Sequence, residues 1–306
     1  MSRFSALSAA VRLLVLGGVV GFPDLEAHAE LLWSTSFDLQ KIDPTAAINP
    51  ASNGSVVTDA ANGGFGVAGD GTIYAYDQGV IGKFAFDGTV LNASLVTGIP
   101  NVGEILVQGT DFWAVRSSPL EARRYNSAGT LQQTIDLSVM SSGSRAMAID
   151  SAGAYYFINS NQVFKYSSAG TWTGGFITIA GTNLFDIIID SNDNLLISSQ
   201  NTSRIYKTDT SLSAASSYIT SALSIPKGLG LDPDDNLYVV NSLTNQISKF
   251  DSAGSLVEAN FVYGTLPNGA GLWTTVAVPE PGTTWAALIT SLGGLAAIRR
   301  HRKSSF

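Results

Sequence analysis

The chain has 306 residues, of which 45% are hydrophobic and only 13% charged, and its formal net charge is -7. This apolar content is enough for a packed core and excludes a chain that is disordered throughout, while the negative charge argues against a nucleic-acid partner. Because the chain has no cysteine, disulfide scaffolds, cysteine-ligated metals and thiol nucleophiles are excluded as well.

Residues 1–29 have the anatomy of a secretory signal peptide. Two arginines near the start flank polar and small residues, a short apolar run covers residues 13–22, and residues 27–29 have the small-x-small form of a cleavage site. The apolar run is too short to span a bilayer comfortably. We therefore expect signal peptidase to remove this segment, so that the mature protein begins at Glu30.

Residues 30–277 contain a repeat of about 40 residues, which is the repeat length of a β-propeller blade. Each unit has four short apolar runs separated by turns rich in Gly, Asn and Asp, and this pattern predicts four antiparallel strands. An apolar side chain recurs at the same place in the second run of five units: Tyr74, Trp113, Tyr156, Leu196 and Tyr238.

The two ends of this region look like the halves of one further unit. Residues 31–44 match the second half of a repeat, and residues 268–273 match the first half. Joining them would close the ring and remove both sheet edges. The sequence thus predicts an all-β, six-bladed β-propeller closed by N- and C-terminal strands. The repeat resembles the NHL and lactonase-like six-bladed propellers.

Four charged residues align near the start of successive inner strands, which line the central channel of a propeller: Glu104, Arg145, Asp186 and Lys227. Their signs alternate around the ring. Two interpretations follow, a charged channel mouth that binds a polar ligand and a set of ion pairs that hold neighbouring blades in register. The second is favoured, because structural ion pairs are common in such positions.

The resemblance to lactonase-like propellers also implies a calcium or similar ion in the channel, held by oxygen ligands. The counterparts of those ligands are Glu104, Asn159, Asp186 and Asn241. The segment 103–105 lacks the family's Glu-Gly-Pro, and the chain's two histidines, His28 and His301, lie in the terminal segments. We therefore expect no cofactor and no catalysis, with a metal-dependent lactonase or lyase, using calcium, as the alternative.

Several other polar and aromatic residues are candidates for a site. Asp193, Asp234 and Asp235 lie in first-turn loops, where hydrogen bonding within the turn accounts for them. Aromatic side chains that can stack on sugar rings form a second group: Trp33, Trp113, Trp172 and Trp273. Among these we expect Trp113 in the blade core and Trp172, nearer the outer strand, to be exposed.

Residues 278–306 have three features in a fixed order. Val278, Pro279, Glu280 and Pro281 form a proline-flanked motif, residues 284–298 form an uncharged apolar run, and Arg299, Arg300 and Arg302 form a basic tail. This predicts a near-spanning transmembrane helix with its tail in the cytoplasm. The arrangement resembles the PEP-CTERM sorting signal of exported Gram-negative proteins, which implies recognition and removal of the tail by the membrane protease exosortase.

Together these features predict a protein that signal peptidase and exosortase process, with a transient membrane anchor. The resemblance implies a final location on the outer surface or in the extracellular matrix of a Gram-negative bacterium. It also implies a binding or structural role linked to biofilm, with exopolysaccharide or another surface protein as the partner.

Overall fold

The computed structural model describes residues 30–34, 38–42, 55–58, 64–85, 88–141, 143–144, 146–263 and 273–276. Every regular element in these ranges is a β-strand. The strands are β1 (Glu30–Ser34), β2 (Asp38–Ile42), β3 (Ser55–Thr58), β4 (Phe65–Val67), β5 (Ile73–Asp77), β6 (Val80–Phe84), β7 (Val90–Thr97), β8 (Val102–Gln108), β9 (Asp111–Ser117), β10 (Leu120–Tyr125), β11 (Leu131–Asp136), β12 (Ala146–Ile149), β13 (Tyr155–Asn159), β14 (Gln162–Tyr166), β15 (Trp172–Thr178), β16 (Leu184–Ile189), β17 (Asn194–Ser199), β18 (Arg204–Asp209), β19 (Ser216–Ile219), β20 (Pro226–Leu231), β21 (Leu237–Asn241), β22 (Gln246–Phe250), β23 (Leu256–Tyr263) and β24 (Trp273–Val276).

The fold is an all-β propeller. Four consecutive antiparallel strands form each of five blades, numbered 1 to 5 below: β4–β7, β8–β11, β12–β15, β16–β19 and β20–β23. The sequence predicts six blades, and in this respect the structure differs, because it shows five blades of this kind. The difference lies where the two ends of the repeat region meet.

There a further four-stranded sheet combines strands from both ends, in the order β24-β1-β2-β3. Leu32 of β1 lies opposite Thr274 of β24, and Leu31 lies opposite Ile42 of β2. The predicted pairing of the terminal strands is therefore confirmed. Strand β24 contacts both β20 of blade 5 and β4 of blade 1.

The repeated apolar position lies on the second strand of every blade, opposite a basic residue of the third strand. In blade 3, Tyr156 pairs with Lys165, whose Nζ lies 5.3 Å from the centre of the tyrosine ring. The Tyr156 hydroxyl donates a 2.9 Å hydrogen bond to Asp150 in the first turn. The sequence repeats at this spacing because turn, second strand and third strand are held together by these contacts.

Four hydrophobic clusters of buried residues each lie between two neighbouring blades. Trp113 of blade 2 is fully buried, as predicted, and its ring meets that of Tyr155 in blade 3 edge-on at 5.0 Å. Burial of one such large side chain contributes about 1.5–3 kcal/mol. The stability of the propeller thus comes from contacts between neighbours in the ring.

The turn between the third and fourth strands packs on the outer strand of the preceding blade. Gly170 has a φ of +80°, and a Cβ there would lie 2.8 Å from side-chain atoms of Gln133 and Ile135 in blade 2. Gly129 and Gly254 make the same approach to Leu95 and Tyr218. Both the positive φ and this close contact require glycine in these turns.

Candidate ligand site in the central channel

The inner strands β4, β8, β12, β16 and β20 line a cavity of about 380 Å³. Most side chains along it are aliphatic, and several backbone groups of the inner strands also face it. Two acidic side chains from the beginning of inner strands reach it, Glu104 and Asp186. A concave space with a few converging polar groups is the usual form of a ligand site.

A β-bulge precedes or contains each of these acids. The pairing of β8 with β9 shifts between Val102 and Glu104, and that of β16 with β17 shifts between Leu184 and Ile187. Such a bulge redirects a side chain out of the regular alternation of a strand. Both acids are buried, with exposed fractions of 8% for Glu104 and 4% for Asp186.

The two acids make equivalent hydrogen bonds to the next blade. Oε2 of Glu104 accepts a 2.6 Å hydrogen bond from the Met147 amide, and Oδ2 of Asp186 accepts one of 2.8 Å from the Leu229 amide. Oδ1 of Asp186 also accepts the amide of Ile187 at 2.8 Å. Each acid therefore joins its own inner strand to that of the following blade.

Burial shifts the protonation of both groups. Desolvation raises the pKa of Asp186 to about 7, against the opposing effect of its two amide donors. Desolvation also raises the pKa of Glu104 well above its ordinary value, and the Asp186 charge adds to this, whereas the Met147 amide lowers it. Burial therefore favours the protonated form of both carboxyl groups in the channel.

The strand register changes the predicted alignment of channel charges. Glu104 and Asp186 precede Ile105 and Ile187, and the equivalent positions of blades 3 and 5 are Ala146 and Gly228. Lys227 lies one residue earlier, with its Nζ 5.5 Å from the centre of the Phe185 ring. Arg145 lies outside the described residues. The described inner strands thus alternate acidic and small residues at this level.

The four residues expected to ligate calcium do not form one set in the described structure. Glu104 and Asp186 line the channel, but Oδ1 of Asn241 accepts the Ser224 amide at 2.8 Å and its Nδ2 donates to Ser248 at 2.9 Å. Asn159 is buried at the end of β13, outside the channel lining, and its Oδ1 has no hydrogen-bond partner. These residues do not fit a calcium site. Within the described ranges, no three His, Cys, Asp or Glu side chains are grouped to hold a metal.

The first-turn aspartates connect blades, which sequence reasoning missed. Asp193 accepts the Ser151 amide of the preceding blade at 2.9 Å, and Asp235 accepts the Ser191 amide at 3.1 Å. Both aspartates have a φ of +59°, a conformation that Asp tolerates better than most residues. Asp234 remains within its own turn, where its amide donates to Asp232. These aspartates have a structural role. Their serine partners belong to the preceding blade, so the sequence of one repeat alone does not reveal the contact.

The remaining candidates divide by position. Trp172 on the outer strand β15 is 41% exposed, as predicted. Trp33 and Trp273 lie opposite each other in β1 and β24. The sorting motif (Val278, Pro279, Glu280, Pro281, Arg299, Arg300 and Arg302) lies outside the described residues, as do both signal segments. In the described part of the chain, no helix is long and apolar enough to cross a membrane.

The chain is similar in structure to several known propellers. A chain of the nidogen/laminin complex has a TM-score of 0.65 at 14% identity, and the match covers 82% of this chain and 100% of that one. For a streptogramin B lyase the TM-score is 0.56 at 16% identity, with coverage of 78% and 75%. A catalytically inactive virginiamycin B lyase from Staphylococcus aureus with quinupristin also has a TM-score of 0.56, at 14% identity, with coverage of 78% and 87%.

A comparison of the sequence alone adds nothing to this, since no family model and no curated protein matches the chain. The structural neighbours are all below 25% identical, so the similarity extends to the fold and no further. The chain is therefore a β-propeller, similar in fold to these structures.

Proposed function

We propose that this chain is an exported cell-surface or extracellular-matrix β-propeller of a Gram-negative bacterium, sorted by exosortase and acting as a binding or structural protein associated with exopolysaccharide or biofilm. The observation that carries the proposal is the order of Pro279-Glu280-Pro281, the apolar run 284–298 and the basic tail. A cationic tail after a near-spanning helix retains the chain in the membrane until the segment is cut.

Mass spectrometry of the protein recovered from the outside of the cell tests this proposal. We expect a mature chain that begins at Glu30 and has lost the segment from Arg299 to Phe306. An exported chain that keeps the basic tail would contradict sorting and leave a plain C-terminal membrane anchor.

We propose further that the composite sheet β24-β1-β2-β3 serves as the sixth blade of a closed ring. Its position between β20 and β4 supports this arrangement. Closure leaves the inner strand of each blade as a short edge that is protected within the channel. A closed ring of this kind suits a structural or binding component outside the cell.

A lyase or lactonase-like enzyme is the second candidate. Two lyases among the structural neighbours and the acidic pair of Glu104 and Asp186 in the channel favour it. The use of Asn241 in hydrogen bonds within its own blade speaks against the metal that such an enzyme would need. A calcium titration, described in the Discussion, separates the two candidates.

A further inference from the structure

Trp172 and Phe176 form an exposed aromatic pair on the outer strand of blade 3, called the aromatic platform below. Trp172 is 41% and Phe176 50% exposed. Phe176 stacks on the buried ring of Phe164, with the ring centres 5.7 Å apart. One member of the pair is therefore held in place from beneath.

A bulge in β15 separates the two aromatic residues along the strand. Trp172 lies opposite Tyr166 and Phe176 lies opposite Phe164, so four residues of β15 span two residues of β14. Residues two apart on a strand share one face and are roughly 7 Å apart along it. Tyr166 and Phe164 therefore share one face of β14, and the register places their partners Trp172 and Phe176 on that same face.

The bulge itself is ordered by hydrogen bonds. Thr173 donates from Oγ1 to the Lys165 carbonyl at 2.8 Å, and the Gly175 amide donates to the same Oγ1 at 3.3 Å. Gly174 within it has a φ of +82°, which few other residues adopt. The spacing of the platform is thus built into the strand.

The surroundings of the platform are polar but carry no charge on β15. The strand reads WTGGFIT, and Thr171, Thr173 and Thr178 are exposed beside the aromatic rings. Gln162 donates to Thr178 at 3.3 Å. The strand itself therefore offers no charge to a phosphate, a nucleic acid or a highly charged peptide.

We propose that the aromatic platform binds a neutral polysaccharide, with Trp172 and Phe176 stacking on two neighbouring pyranose rings and the flanking threonines and Gln162 contacting sugar hydroxyls. An aromatic ring offers an apolar face to the C–H side of a sugar, and hydroxyl and amide groups match its polar rim. The proposal rests on the proposed surface location, since it names the class of ligand met there.

The same position in other blades provides a matched control. The first large residue of the fourth strand, opposite the end of the third, is Val90 in blade 1, Leu131 in blade 2 and Leu256 in blade 5. Leu256 is 47% exposed, close to the value for Trp172, but it is aliphatic. General exposure of apolar surface would make the two residues equivalent, whereas sugar stacking would not.

Calorimetric titration of the full chain, in a detergent without sugar groups, with cellohexaose, mannohexaose and xylohexaose tests the proposal. We expect one of these neutral hexamers to bind, Trp172→Ala to weaken its affinity at least about tenfold, and Trp172→Phe and Leu256→Ala to leave it nearly unchanged. Phe176→Leu, which keeps an apolar contact with Phe164, should also weaken binding without lowering the melting temperature.

Four results would overturn the proposal. These are no binding of any of the three hexamers, equal binding by Trp172→Ala, an equal loss in Leu256→Ala, and stronger binding of a galacturonic acid hexamer. Sedimentation of the unliganded chain tests the alternative that a second copy of the chain binds the platform. A dimer that Trp172→Ala dissociates would support this alternative and overturn the proposal. These measurements are made on purified chain and do not depend on whether exosortase cuts the tail.

Discussion

Glu104 reaches across a blade boundary to Met147, whose amide donates a 2.6 Å hydrogen bond to the glutamate Oε2. Asp186 and Leu229 repeat this contact two blades further on. Both amides belong to inner strands that face the channel, where a backbone N–H without a partner would be costly. The acids therefore stabilise the channel wall, at the cost of burying a titratable group there.

Glu104→Gln should retain most of the stability of the wild-type chain, because the glutamine amide oxygen can still accept the hydrogen bond from the Met147 amide. Glu104→Ala should lose about 1–3 kcal/mol, since the buried Met147 amide would be left without a partner. Thermal unfolding of the two variants measures the difference. Equal losses in both would show that the bond to Met147 contributes nothing.

The stability of the protein should fall as the pH rises towards 7 through the titration of Asp186. Its pKa is about 7 in the fold and near 4 in the unfolded chain, so the folded state binds more protons between these values. The free energy of unfolding must then decrease with rising pH across this range. Asp186→Asn should remove this part of the pH dependence, although its one amide oxygen can replace only one of the two acceptors that Ile187 and Leu229 use. Thermal unfolding at pH 5 and pH 8 measures the change, and a variant with the pH dependence of the wild type would contradict the assignment.

Asp190→Asn provides a control of opposite sign. Although burial raises the pKa of Asp190, hydrogen bonds from Asn194 and Lys207 lower it overall. Its contribution to stability is present above the unfolded pKa and is lost as the pH falls through the folded one. The variant should therefore melt below the wild type at neutral pH and approach it in acid. The same pH response in both variants would contradict the assignment.

Calcium should not raise the melting temperature of the full chain, because Asn241 is engaged within its own blade and the predicted ligands do not converge. Any ion that binds the folded state alone would raise it. Differential scanning calorimetry with and without millimolar calcium makes the comparison. A rise of several degrees that disappears in Glu104→Gln or Asp186→Asn would move the enzyme to first place.

Asp235→Ala should destabilise the protein by about 1–2 kcal/mol. The substitution removes the hydrogen bonds to Ser191 in the preceding blade and leaves alanine at a φ of +59°. Asp235→Asn keeps an acceptor and tolerates that conformation, so it should lose less. Denaturant unfolding of both variants measures the order, and the reverse order would exclude the bridging role.

The sorting segment should be separable from the fold. Changing Pro279, Glu280 and Pro281 together to alanine should leave the tail attached and retain the protein in the membrane, because the motif for exosortase would be gone. The melting temperature of the propeller should not change, since all three residues follow the last strand, β24. Fractionation and calorimetry test both parts, and a large fall in melting temperature would place the domain boundary too early.

The repeat could be predicted from sequence because it depends on local chemistry. Tyr156 contacts both Asp150 and Lys165 within a single blade, so the spacing of the three residues is visible in one unit. The pairing of the two ends was harder to predict, since β1 and β24 come from opposite ends of the repeat region and pair only in the composite sheet. Their pairing was predicted correctly, whereas the total of six blades was not.

The channel was predicted less well, and the bulges explain why. In a β-bulge, two residues of one strand lie opposite one residue of its partner. The alternation of apolar and polar residues in the sequence does not reveal where such a bulge occurs. Aligning Lys227 with Asp186 therefore placed it at the position that Gly228 occupies. Glu104 and Asp186 were identified, but the raised pKa of each comes from burial between blades, which a single strand does not reveal.

The glycine turns at Gly129, Gly170 and Gly254 all face the blade made just before their own. The outer strand of each blade precedes in sequence the glycine turn that packs on it, so each blade can pack on one whose sequence is already present. The composite sheet is the exception among the described sheets, because it needs strands from both ends of the chain: Glu30 of β1 pairs with Val276 of β24. Contacts so distant in sequence form slowly. In the proposed closed ring, the pairing of β1 with β24 is therefore the last contact of the propeller to form.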